Sequence, residues 1–486
     1  MMAYFFKIFG CQMNYSDAER IATMLEKYKM KKASSVDEAD FVVFVTCGVR
    51  QSAEDRVYGQ VNNIRKKFPE KKIIVTGCLA HRKDVQRRLK DKAGLFCAIK
   101  DFPKEIIKIL DTEYKIQDTK NLPCTNYLKI TPKYANSHTA YVPVMTGCDN
   151  FCAYCVVPYA RGREHSRPAE NILDEVKSLV EKGYKEIVLL GQNVNSYNSK
   201  IQISNIQYPI KFQNIKSKIH NAPYSTVNTK KDTMTFADLL KQIDSIPGKF
   251  WLTFLTSHPK DMSDELIETI AKSKKICEYI SLPAQSGDDE VLRRMNRKYT
   301  VEHYKKLIRK IRRDFRRLNF RKPKVDPSIS TDIIVGFPGE TKKQFENTAK
   351  LMREMKYDMA YIAQYSPRPE TAALKMKDNV SKKEKARREK VLTEILGKTA
   401  LANNKKYVGK TVEILVTSSQ PSPYKGEGDR LPLLSKKRTR VRFKYSGHTR
   451  AQKKIIFFSN KKIPVGSFQK VKITKAKTFG LEGEIK

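Results

Sequence analysis

The chain has 486 residues, 40% of them hydrophobic, and a formal net charge of +43 from 95 Lys and Arg against 52 Asp and Glu. This length predicts two or three domains, and the lack of any apolar run near the roughly 20 residues of a membrane span argues against a membrane protein. No signal peptide is expected, because the apolar start meets a lysine at once and no cleavage-site pattern follows. The charge predicts a polyanionic partner such as RNA, although a lysine-rich bias spread over the surface would give the same total.

Three strand-like segments in the first 110 residues each end at a cysteine. The first leads into Cys11, the second into Cys47 and the third into Cys78, and a helix-like segment follows each of them. The carboxyl ends of parallel strands meet at one edge of an α/β sheet, so these distant thiols can converge. The pattern predicts a Rossmann-like parallel sheet domain over residues 1–115 that carries a three-cysteine iron–sulfur site.

A second group of cysteines follows a polar, proline-containing linker predicted over residues 116–137. Spacings of four and three let Cys148, Cys152 and Cys155 converge on one metal centre. A [4Fe-4S] cluster on three protein ligands leaves one iron open, which favours a catalytic cluster over a purely structural one. Zinc is the weaker alternative, because no second pair of Cys or His lies nearby, and three unrelated buried cysteines are the other alternative.

The cysteine usage also indicates the compartment. Nine cysteines in a long chain, three of them in one loop, argue against a disulfide scaffold and for a reducing compartment, with the cytoplasm as the expected location. The cysteines outside the two groups are expected to be ordinary structural residues. They are Cys97, Cys124 and Cys277.

Alternating strand and helix patterns continue over residues 138–378 and predict a partial (β/α) barrel with its chemistry at the carboxyl ends of the strands. The predicted elements include strands over 140–145, 186–190 and 328–335 and a helix over 264–272. Residues 198–232 interrupt this pattern as an insertion with little regular structure, which either contacts substrate or is an uninvolved loop. A basic stripe from Val301 to Lys324 predicts either a solvated helix face or an RNA contact.

The carboxyl-terminal part is the most basic. A charged helical bridge is predicted over residues 379–406, and short β runs with Gly and Pro turns predict a small all-β barrel over 407–486. No Asp or Glu occurs between Arg430 and Leu481. This distribution predicts that the last domain is a docking surface for a polyanion.

Several motifs together resemble the methylthiotransferases of the radical-SAM class, and the similarity runs over nearly the whole chain. The motifs are Gly10-Cys11-Gln12-Met13-Asn14, Cys148 to Cys155 continuing to Gly162, Leu190 to Asn195, Thr256-Ser257-His258-Pro259 and Gly336 to Thr341. Within this class the first motif is most similar to the members that add a methylthio group to carbon 2 of isopentenyl-adenosine next to the tRNA anticodon. Sister enzymes act on threonylcarbamoyl-adenosine or on a ribosomal protein.

The resemblance implies a set of cofactors and roles. It assigns Cys11, Cys47 and Cys78 to an auxiliary [4Fe-4S] cluster that supplies sulfur, and the second cysteine group to the cluster that cleaves S-adenosylmethionine. It places Tyr154 against the adenine of that cofactor. It also implies two S-adenosylmethionine molecules per reaction and a carboxyl-terminal TRAM barrel that grips the tRNA anticodon stem-loop. We further expect an electron donor such as flavodoxin or ferredoxin, no membrane contact and a monomer.

Polar residues at the predicted strand ends are the candidates for further cofactor contacts. Gln192 and Asn193 are candidates for the methionine amino group, and Gln285 and Ser286 for the ribose. The turn that begins at Gly336 could let backbone approach the adenine or ribose. Because carbon 2 of adenine has no acidic proton, its substitution requires radical chemistry. A non-catalytic iron–sulfur RNA-binding protein is the alternative from another functional class.

Overall fold

The computed structural model describes residues 2–114, 127–200, 233–318, 326–421 and 443–485. Within these ranges a parallel sheet domain, a partial barrel of parallel strands and a small closed barrel follow one another, which confirms the predicted α/β architecture. Some predicted features lie wholly or partly outside the described residues: Cys124, the linker 116–137, the insertion 198–232, the basic residues 319–324 and the barrel stretch 420–435.

The amino-terminal sheet brings three strand ends side by side. Its strands are β1 (Ala3–Ile8), β2 (Lys31–Lys32), β3 (Phe41–Thr46), β4 (Lys72–Gly77) and β5 (Leu95–Cys97), and its helices are α1 (Gln12–Lys27), α2 (Gln51–Lys67), α3 (Lys83–Leu89) and α4 (Phe102–Tyr114). All strands are parallel, in the order β2-β1-β3-β4-β5. Alternate residues of the central strand pack on opposite faces, with Val43 on one side and Phe44 on the other.

The central domain is built mainly from parallel strands. Its strands are β6 (Thr139–Pro143), β7 (Met145–Thr146), β8 (His165–Ser166), β9 (Glu186–Leu190), β10 (Asn198–Lys200), β11 (Thr233–Thr235), β12 (Trp251–Phe254), β13 (Tyr279–Ser281), β14 (Ser328–Val335) and β15 (Met359–Gln364). Its helices are α5 (Val157–Arg161), α6 (Ala169–Glu181), α7 (Phe236–Ser245), α8 (Asp264–Lys272), α9 (Asp289–Arg294), α10 (Val301–Leu318), α11 (Lys342–Met355) and α12 (Lys382–Lys405).

Two three-stranded sheets of this domain, β12-β9-β6 and β13-β14-β15, join into one curved sheet. The junction is made where the Leu252 amide donates to the Lys275 carbonyl (2.9 Å) and the Cys277 amide donates to the Leu252 carbonyl (2.8 Å). Since β6 and β15 do not pair with each other within the described ranges, the barrel is partial, as predicted. We call this sheet the central barrel, and its two rims the carboxyl edge and the amino edge.

Some element limits differ from the sequence expectation. The strand predicted over 140–145 is divided, because β7 leaves the barrel to pair with β8. Pairing of β10 with β11 forms a short hairpin, so the inserted segment leaves at Lys200 and returns at Thr233. The sequence pattern does not reveal β15, whose side chains are mostly exposed or half-buried except for Ala360.

The long charged helix α12 packs along the central barrel. Leu392, Leu396 and Ala400 join the apolar core beneath it, and the Ser381 hydroxyl caps its first turn by accepting from the Glu384 amide. No helix in the described part of the chain is long and apolar enough to cross a bilayer. The predicted domain limits themselves stay predictions.

The carboxyl-terminal strands close into a five-stranded barrel in the order β16-β17-β18-β20-β19, which confirms the predicted all-β domain. Its strands are β16 (Thr411–Pro421), β17 (Phe443–Thr449), β18 (Lys454–Ser459), β19 (Phe468–Lys477) and β20 (Gly480–Ile485). The last strand is absent from the sequence expectation, because its two glycines and two glutamates interrupt the apolar pattern.

This C-terminal barrel is docked on the amino edge of the central barrel. Three ion pairs hold it there: His448 with Glu186 (3.0 Å), Arg450 with Glu278 (3.2 Å) and Lys453 with Asp358 (2.5 Å). All three carboxylates lie at or just before the first residue of a barrel strand. Trp251 adds an apolar contact, with its ring 4.9 Å from that of Phe468. The basic side chains around the β17–β18 turn are therefore used within the chain.

Candidate active site

The three strand-end cysteines of the amino-terminal domain share one edge of its sheet. Cys11 caps α1 just after β1, Cys47 directly follows β3 and Cys78 directly follows β4. The loops are in close contact, since a Cβ on Gly10 would lie 2.6 Å from the Cys47 Cβ and one on Gly48 would lie 2.9 Å from the Cys78 carbonyl oxygen. Only glycine permits this approach, and the sequence prediction that the strand ends converge agrees with it.

Asn14 fastens two of these loops together. Its side-chain amide donates to the Phe9 carbonyl (2.7 Å) and to the Thr46 carbonyl (3.0 Å), the residues at the ends of β1 and β3. The Cys11 thiol lies 3.9 Å from the Asn14 Oδ1 atom. Asn14 is completely buried, so the conformation of the first cysteine loop depends on a bonded polar side chain inside the fold.

The thiols of this group are close enough to affect one another electrostatically. Burial raises the pKa of the Cys47 thiol, and the neighbouring Cys78 raises it further. Burial also raises the pKa of Cys11, Arg161 lowers it, and Cys78 raises it again. As thiolates these groups would repel one another, so they need a shared cationic centre to be stable together.

The second cysteine group lies in a tightly bonded loop before α5. Phe151 adopts a left-handed φ of 45°, and the Ala153 backbone is held on both sides, donating to the Met295 carbonyl (2.9 Å) and accepting from the Ala373 amide (2.7 Å). Burial, followed by Cys152, raises the pKa of the Cys155 thiol to about 12. The loop thus brings its thiols together at a position fixed by two other segments of the barrel.

Hydrogen-bond donors reach each sulfur of this loop. The Asn150 side-chain amide lies 3.4 Å from the Cys148 sulfur, the Val157 backbone amide 3.5 Å from the Cys155 sulfur, and the Arg297 Nη1 atom 3.3 Å from the Cys152 sulfur. Donors of this kind stabilise thiolate ligands and tune the potential of an iron–sulfur cluster.

Each donor set consists of three cysteine thiols, and thiolates are the protein ligands of iron–sulfur clusters. Within the described residues no group of three or more His, Cys, Asp or Glu side chains has the geometry to hold one metal ion. With three cysteines at each site, a [4Fe-4S] cluster would keep one iron free of protein ligands.

The two cysteine groups lie on facing loops. Gly48, which follows Cys47, is so close to Val156, which follows Cys155, that a Cβ on the glycine would lie 3.4 Å from the valine Cγ2 atom. A second link is Arg161 at the end of α5, whose side chain enters the amino-terminal domain. Its Nη2 atom donates to Asp17 (2.7 Å) and to the Asn14 Oδ1 atom (3.1 Å).

Arg161 is buried beside the first cysteine group. Although burial opposes its charge, Asp17 and then Cys78 raise the pKa of its guanidinium well above the ordinary value. Its Nη1 atom has no hydrogen-bond partner in the described structure. A permanent positive charge with a spare donor therefore lies between the two sites.

Three of the buried polar atoms without a partner lie at the carboxyl edge of the central barrel. The Asn193 Oδ1, Ser257 Oγ and Gln285 Oε1 atoms are buried and have no partner among the described residues. They follow β9, β12 and β13, and Gln285 holds a left-handed φ of 65°. Buried polar atoms are usually bonded, so this cluster fits a polar ligand such as S-adenosylmethionine.

The other predicted cofactor residues have contacts inside the fold. Gln192 accepts from the Gly147 amide (2.6 Å) and so supports the start of the cysteine loop. The Ser286 hydroxyl lies 3.3 Å from that of Thr348, and Tyr154 packs in a small apolar cluster with Phe337. Their roles in cofactor binding stay predictions.

Gly336 packs under a lysine. A Cβ on this glycine would lie 2.4 Å from the Lys385 Cγ atom, and its backbone amide donates to Glu340 (2.5 Å). These contacts explain the glycine through the turn that starts α11. Its predicted approach to the cofactor stays a prediction.

Asp332 is a candidate that sequence reasoning missed. It points to the inner face of the central barrel, because its neighbour Ile333 on β14 packs in the outer core. Burial raises the pKa of this carboxyl to about 6, against the lowering effects of Arg50 and Arg297. This half-buried carboxyl is influenced by an arginine of each domain, and its raised pKa makes it a candidate for ligand binding.

Two further missed residues lie in or near the quoted motifs. His258 is held neutral, since burial lowers its imidazole pKa to about 2, and its Nδ1 atom accepts from the Lys260 amide (3.1 Å). Arg161 belongs to the segment that continues the Cys148 to Cys155 motif. Its charge within an otherwise apolar run was a signal that could have identified it.

Comparison with known proteins agrees with this geometry. Residues 142–352 match the Radical SAM superfamily and residues 3–97 match the Uncharacterized protein family UPF0004. A tRNA-2-methylthio-N(6)-dimethylallyladenosine synthase of Clostridium botulinum (strain Hall) is 38% identical over 493 residues, which cover 99% of this chain and 96% of that protein. The enzyme of the same name from Thermoanaerobacter pseudethanolicus is 36% identical over 495 residues, covering 99% and 92%.

Solved structures show only a distant likeness. The radical S-adenosylmethionine methyltransferase TsrM from Kitasatospora setae matches with a TM-score of 0.49 and 11% identity over 76% of each chain, a level that adds nothing to the assignment. The family assignment therefore depends on the sequence relatives. They confirm the predicted resemblance, and at the level of the family they confirm the use of S-adenosylmethionine and [4Fe-4S] clusters. The chain belongs to the tRNA-2-methylthio-N(6)-dimethylallyladenosine synthase family of radical SAM enzymes.

Proposed function

We propose that this protein adds a methylthio group to carbon 2 of N6-isopentenyl-adenosine, also called dimethylallyladenosine, next to the anticodon of tRNA. The observation that carries the proposal is the pair of cysteine groups on facing loops, where Gly48 and Val156 are nearly in contact. Replacing a carbon-bound hydrogen by sulfur needs both a radical source and a sulfur source. Two three-cysteine sites at one cleft meet this requirement.

Each cysteine group in this proposal holds one [4Fe-4S] cluster, and two S-adenosylmethionine molecules are consumed. Cys148, Cys152 and Cys155 would hold the cluster at the barrel, and the auxiliary cluster would be held by Cys11, Cys47 and Cys78. When bound, the first cluster supplies the electron that cleaves S-adenosylmethionine and the second supplies the sulfur. The protein contributes position, charge and the exclusion of water.

Arg161 acts as a positioning residue in this arrangement. Its guanidinium is anchored on Asp17 and Asn14, and Asn14 also sets the Cys11 loop. With its free Nη1 donor it stabilises negative charge on the sulfur atoms of the auxiliary site. Because it follows the second cysteine loop on α5, the same residue fixes the distance between the two sites.

Substrate and cofactor binding falls to the carboxyl edge of the central barrel. The free oxygens of Asn193 and Gln285 accept from the donors of S-adenosylmethionine, with Ser257 as a further partner. Asp332 lies deeper, between Arg50 and Arg297, where it can accept from a hydroxyl or amino group of the cofactor or the nucleoside. His258, held neutral, orients this rim through its backbone bonds to Asn195.

The partners follow from charge and chemistry. A net charge of +43 suits a tRNA, whose phosphates dominate the affinity of such complexes. The electron reaches the barrel cluster from a small donor protein such as flavodoxin or ferredoxin. Two groups of cysteines that function in the reduced state support a cytoplasmic location, and we propose that the enzyme works there as a monomer.

The test is mass spectrometry of tRNA nucleosides from cells with and without this protein. The proposal expects 2-methylthio-N6-isopentenyl-adenosine only when the protein is present, with plain isopentenyl-adenosine accumulating in its absence. Loss of the methylthio form of threonylcarbamoyl-adenosine instead would assign the chain to the sister activity on tRNA. No change in either nucleoside would remove tRNA as the substrate.

A further inference from the structure

Helix α10 presents a face made of arginine. Five arginines on this face line an open hollow of about 520 Å³: Arg309, Arg312, Arg313, Arg316 and Arg317. Their spacing of three, four, seven and eight residues places them on one side of the helix. The opposite side is apolar and buried, with Leu307, Ile308, Ile311 and Phe315 in the core of the central domain. The arginine face is thus fixed in position by packing.

The carboxylates near the arginine face are shared with lysines or bound to exposed arginines: Glu268 and Glu354 act on Arg317 and Arg309 but pair with Lys272 and Lys305. Among the described residues only three carboxylates pair with the arginine face: Glu302 with Arg309 (3.3 Å), Asp314 with Arg313 (2.9 Å) and Asp326 with Arg316 (2.7 Å). The paired arginine side chains remain 60%, 68% and 66% exposed. Exposed pairs of this kind contribute little and leave the guanidiniums available to a stronger anion.

The arginine face lies at the amino edge, away from the cysteines. Arg312 donates to the Met355 carbonyl (2.5 Å), just before β15, and Asp326 lies two residues before β14. The eight residues of β14 separate this edge from the carboxyl edge by about 26 Å, at roughly 3.3 Å per residue. A nucleoside bound between the cysteine groups cannot reach the arginine face.

We propose that the arginine face binds backbone phosphates of the tRNA in a helical part remote from the modified nucleoside. This inference rests on the proposed function. Arginine forks match phosphate oxygens, and successive helix turns repeat about every 5.4 Å, close to the spacing of phosphates along one strand of an A-form helix. An acidic protein would need carboxylates at the same repeat and is the alternative outcome of the test.

The test compares a double variant with a matched control. Arg313→Gln with Arg317→Gln removes two exposed charges without touching Arg312 or Arg316, which tie α10 to other segments. The control, Lys177→Gln with Lys182→Gln, removes two charges at the exposed end of α6 on another side of the barrel. Affinity for complete tRNA is measured as a function of salt, together with modification of a short oligonucleotide that contains only the anticodon loop.

The arginine variant should bind complete tRNA about tenfold more weakly and should lower the slope of log affinity against log salt by roughly 1.5, from about 0.7–0.9 per lost contact. Its modification of the short oligonucleotide and its cleavage of S-adenosylmethionine should equal those of the control. Unchanged tRNA affinity and slope would overturn the proposal, as would equal losses on both RNAs. If the variant binds tRNA normally but no longer binds an acidic protein, the arginine face binds that protein and not tRNA.

The wild-type protein could bind tRNA with the expected slope of log affinity against log salt and yet modify neither the tRNA nor the oligonucleotide. That result would contradict the proposed reaction and leave the proposed tRNA-binding surface intact. A second double variant, Arg309→Gln with Arg317→Gln, guards against a local folding defect in the first, because it keeps the pair of Arg313 with the buried Asp314. It should give the same change in slope, because Arg309 pairs only within its own helix. A normal slope in this variant would also contradict the proposal.

Discussion

The two edges of the central barrel are built on opposite principles. At the carboxyl edge the oxygen atoms of Asn193 and Gln285 are buried without partners, and the thiols of the cysteine loop lie close together. At the amino edge the buried carboxylates are paired, as in Glu186 with His448 and Asp358 with Lys453. The buried carboxylates of the amino edge are thus bonded within the chain, and its unpartnered buried atoms among the described residues are nitrogens, Nδ1 of His138 and Nε1 of Trp251, whereas the carboxyl edge leaves side-chain oxygens unpartnered beside the cysteine loop.

Left-handed backbone occurs at both edges, and at the amino edge it is the C-cap of α11, Lys356. Phe151, Thr256, Gln285 and Asn296 have positive φ values, and all four lie in the cysteine loop, just after a barrel strand or at the end of α9. Strained residues persist where the surrounding structure holds them for a function. The comparison teaches that the carboxyl edge is prepared for the cofactor and the reacting nucleoside, while the amino edge holds the C-terminal barrel in place and carries the arginine face.

Replacing one cysteine at each edge should give the largest difference in activity between the two edges. Cys148→Ala should abolish S-adenosylmethionine cleavage by the reconstituted, reduced protein, because the barrel cluster loses one of its three ligands. Cys277→Ala, at the amino edge, is the matched control and should keep normal cleavage and iron content, since Cys277 packs against Trp251 and Leu415. Product analysis and iron determination measure both. Full cleavage activity in the Cys148 variant would contradict the assignment of the radical-generating cluster to the carboxyl edge.

Arg161 offers a smaller and more selective effect. Replacing it by Met together with Asp17→Asn avoids an unpaired buried charge and should lower methylthio transfer by about 10–100-fold, as for other groups that support metal ligands. The double variant leaves the net charge unchanged, but Arg161 acts more strongly on the Cys11 thiol than Asp17 does, so the reduction potential of the auxiliary cluster should still fall and its electron paramagnetic resonance signal should shift. Arg161→Lys should recover part of both. If the electron paramagnetic resonance signal is unaltered in the variant that carries Arg161→Met, the role of Arg161 is only structural.

Gln285 tests whether the unpartnered atoms bind the cofactor. Asn tolerates the left-handed backbone of this position, so Gln285→Asn shortens the amide without new strain. Its dissociation constant for S-adenosylmethionine should rise about tenfold, equivalent to one hydrogen bond of roughly 1.4 kcal/mol. Ser286→Ala is the control, because that hydroxyl bonds to Thr348. A larger effect at Ser286 than at Gln285 would reverse the two predicted roles.

Glu186→Gln should affect stability alone. Burial is the strongest single influence on the pKa of Glu186 and raises it, but the hydrogen bonds from His448, Gln452 and Thr139 and the charge of His448 together lower it below the ordinary value. The stabilisation is therefore present above the ordinary value of 4.5 and is lost as the pH falls through the lower folded value. At neutral pH the variant should lose about 2 kcal/mol of unfolding free energy, and this difference should shrink below pH 4.5. Denaturant titrations at several pH values measure it; a constant difference would contradict the account.

The sequence was most informative where one residue type had to recur. The cysteines that follow β1, β3 and β4 could be predicted to lie close together, since parallel strands end at one edge of a sheet. Regular elements such as β9, α8 and β14 were predicted to the residue, because their apolar patterns match their burial.

The rest depended on contacts between distant segments. No local pattern reveals that Arg161 reaches Asp17, or that Asp332 lies between Arg50 and Arg297. The docking of Arg450 on Glu278 is equally invisible, since a basic residue in a turn is more often solvated. Edge strands such as β15 also escape detection, because their exposed side chains carry no period.

The most direct test of the central claim uses the purified protein, reconstituted with iron and sulfide, reduced, and supplied with S-adenosylmethionine and tRNA that carries isopentenyl-adenosine. We predict that wild type forms the methylthio nucleoside, whereas the combined Cys11→Ala, Cys47→Ala and Cys78→Ala variant still cleaves S-adenosylmethionine but forms none. Methylthio product from that variant would contradict the division of labour between the two cysteine groups, as would failure of the wild type to modify this tRNA.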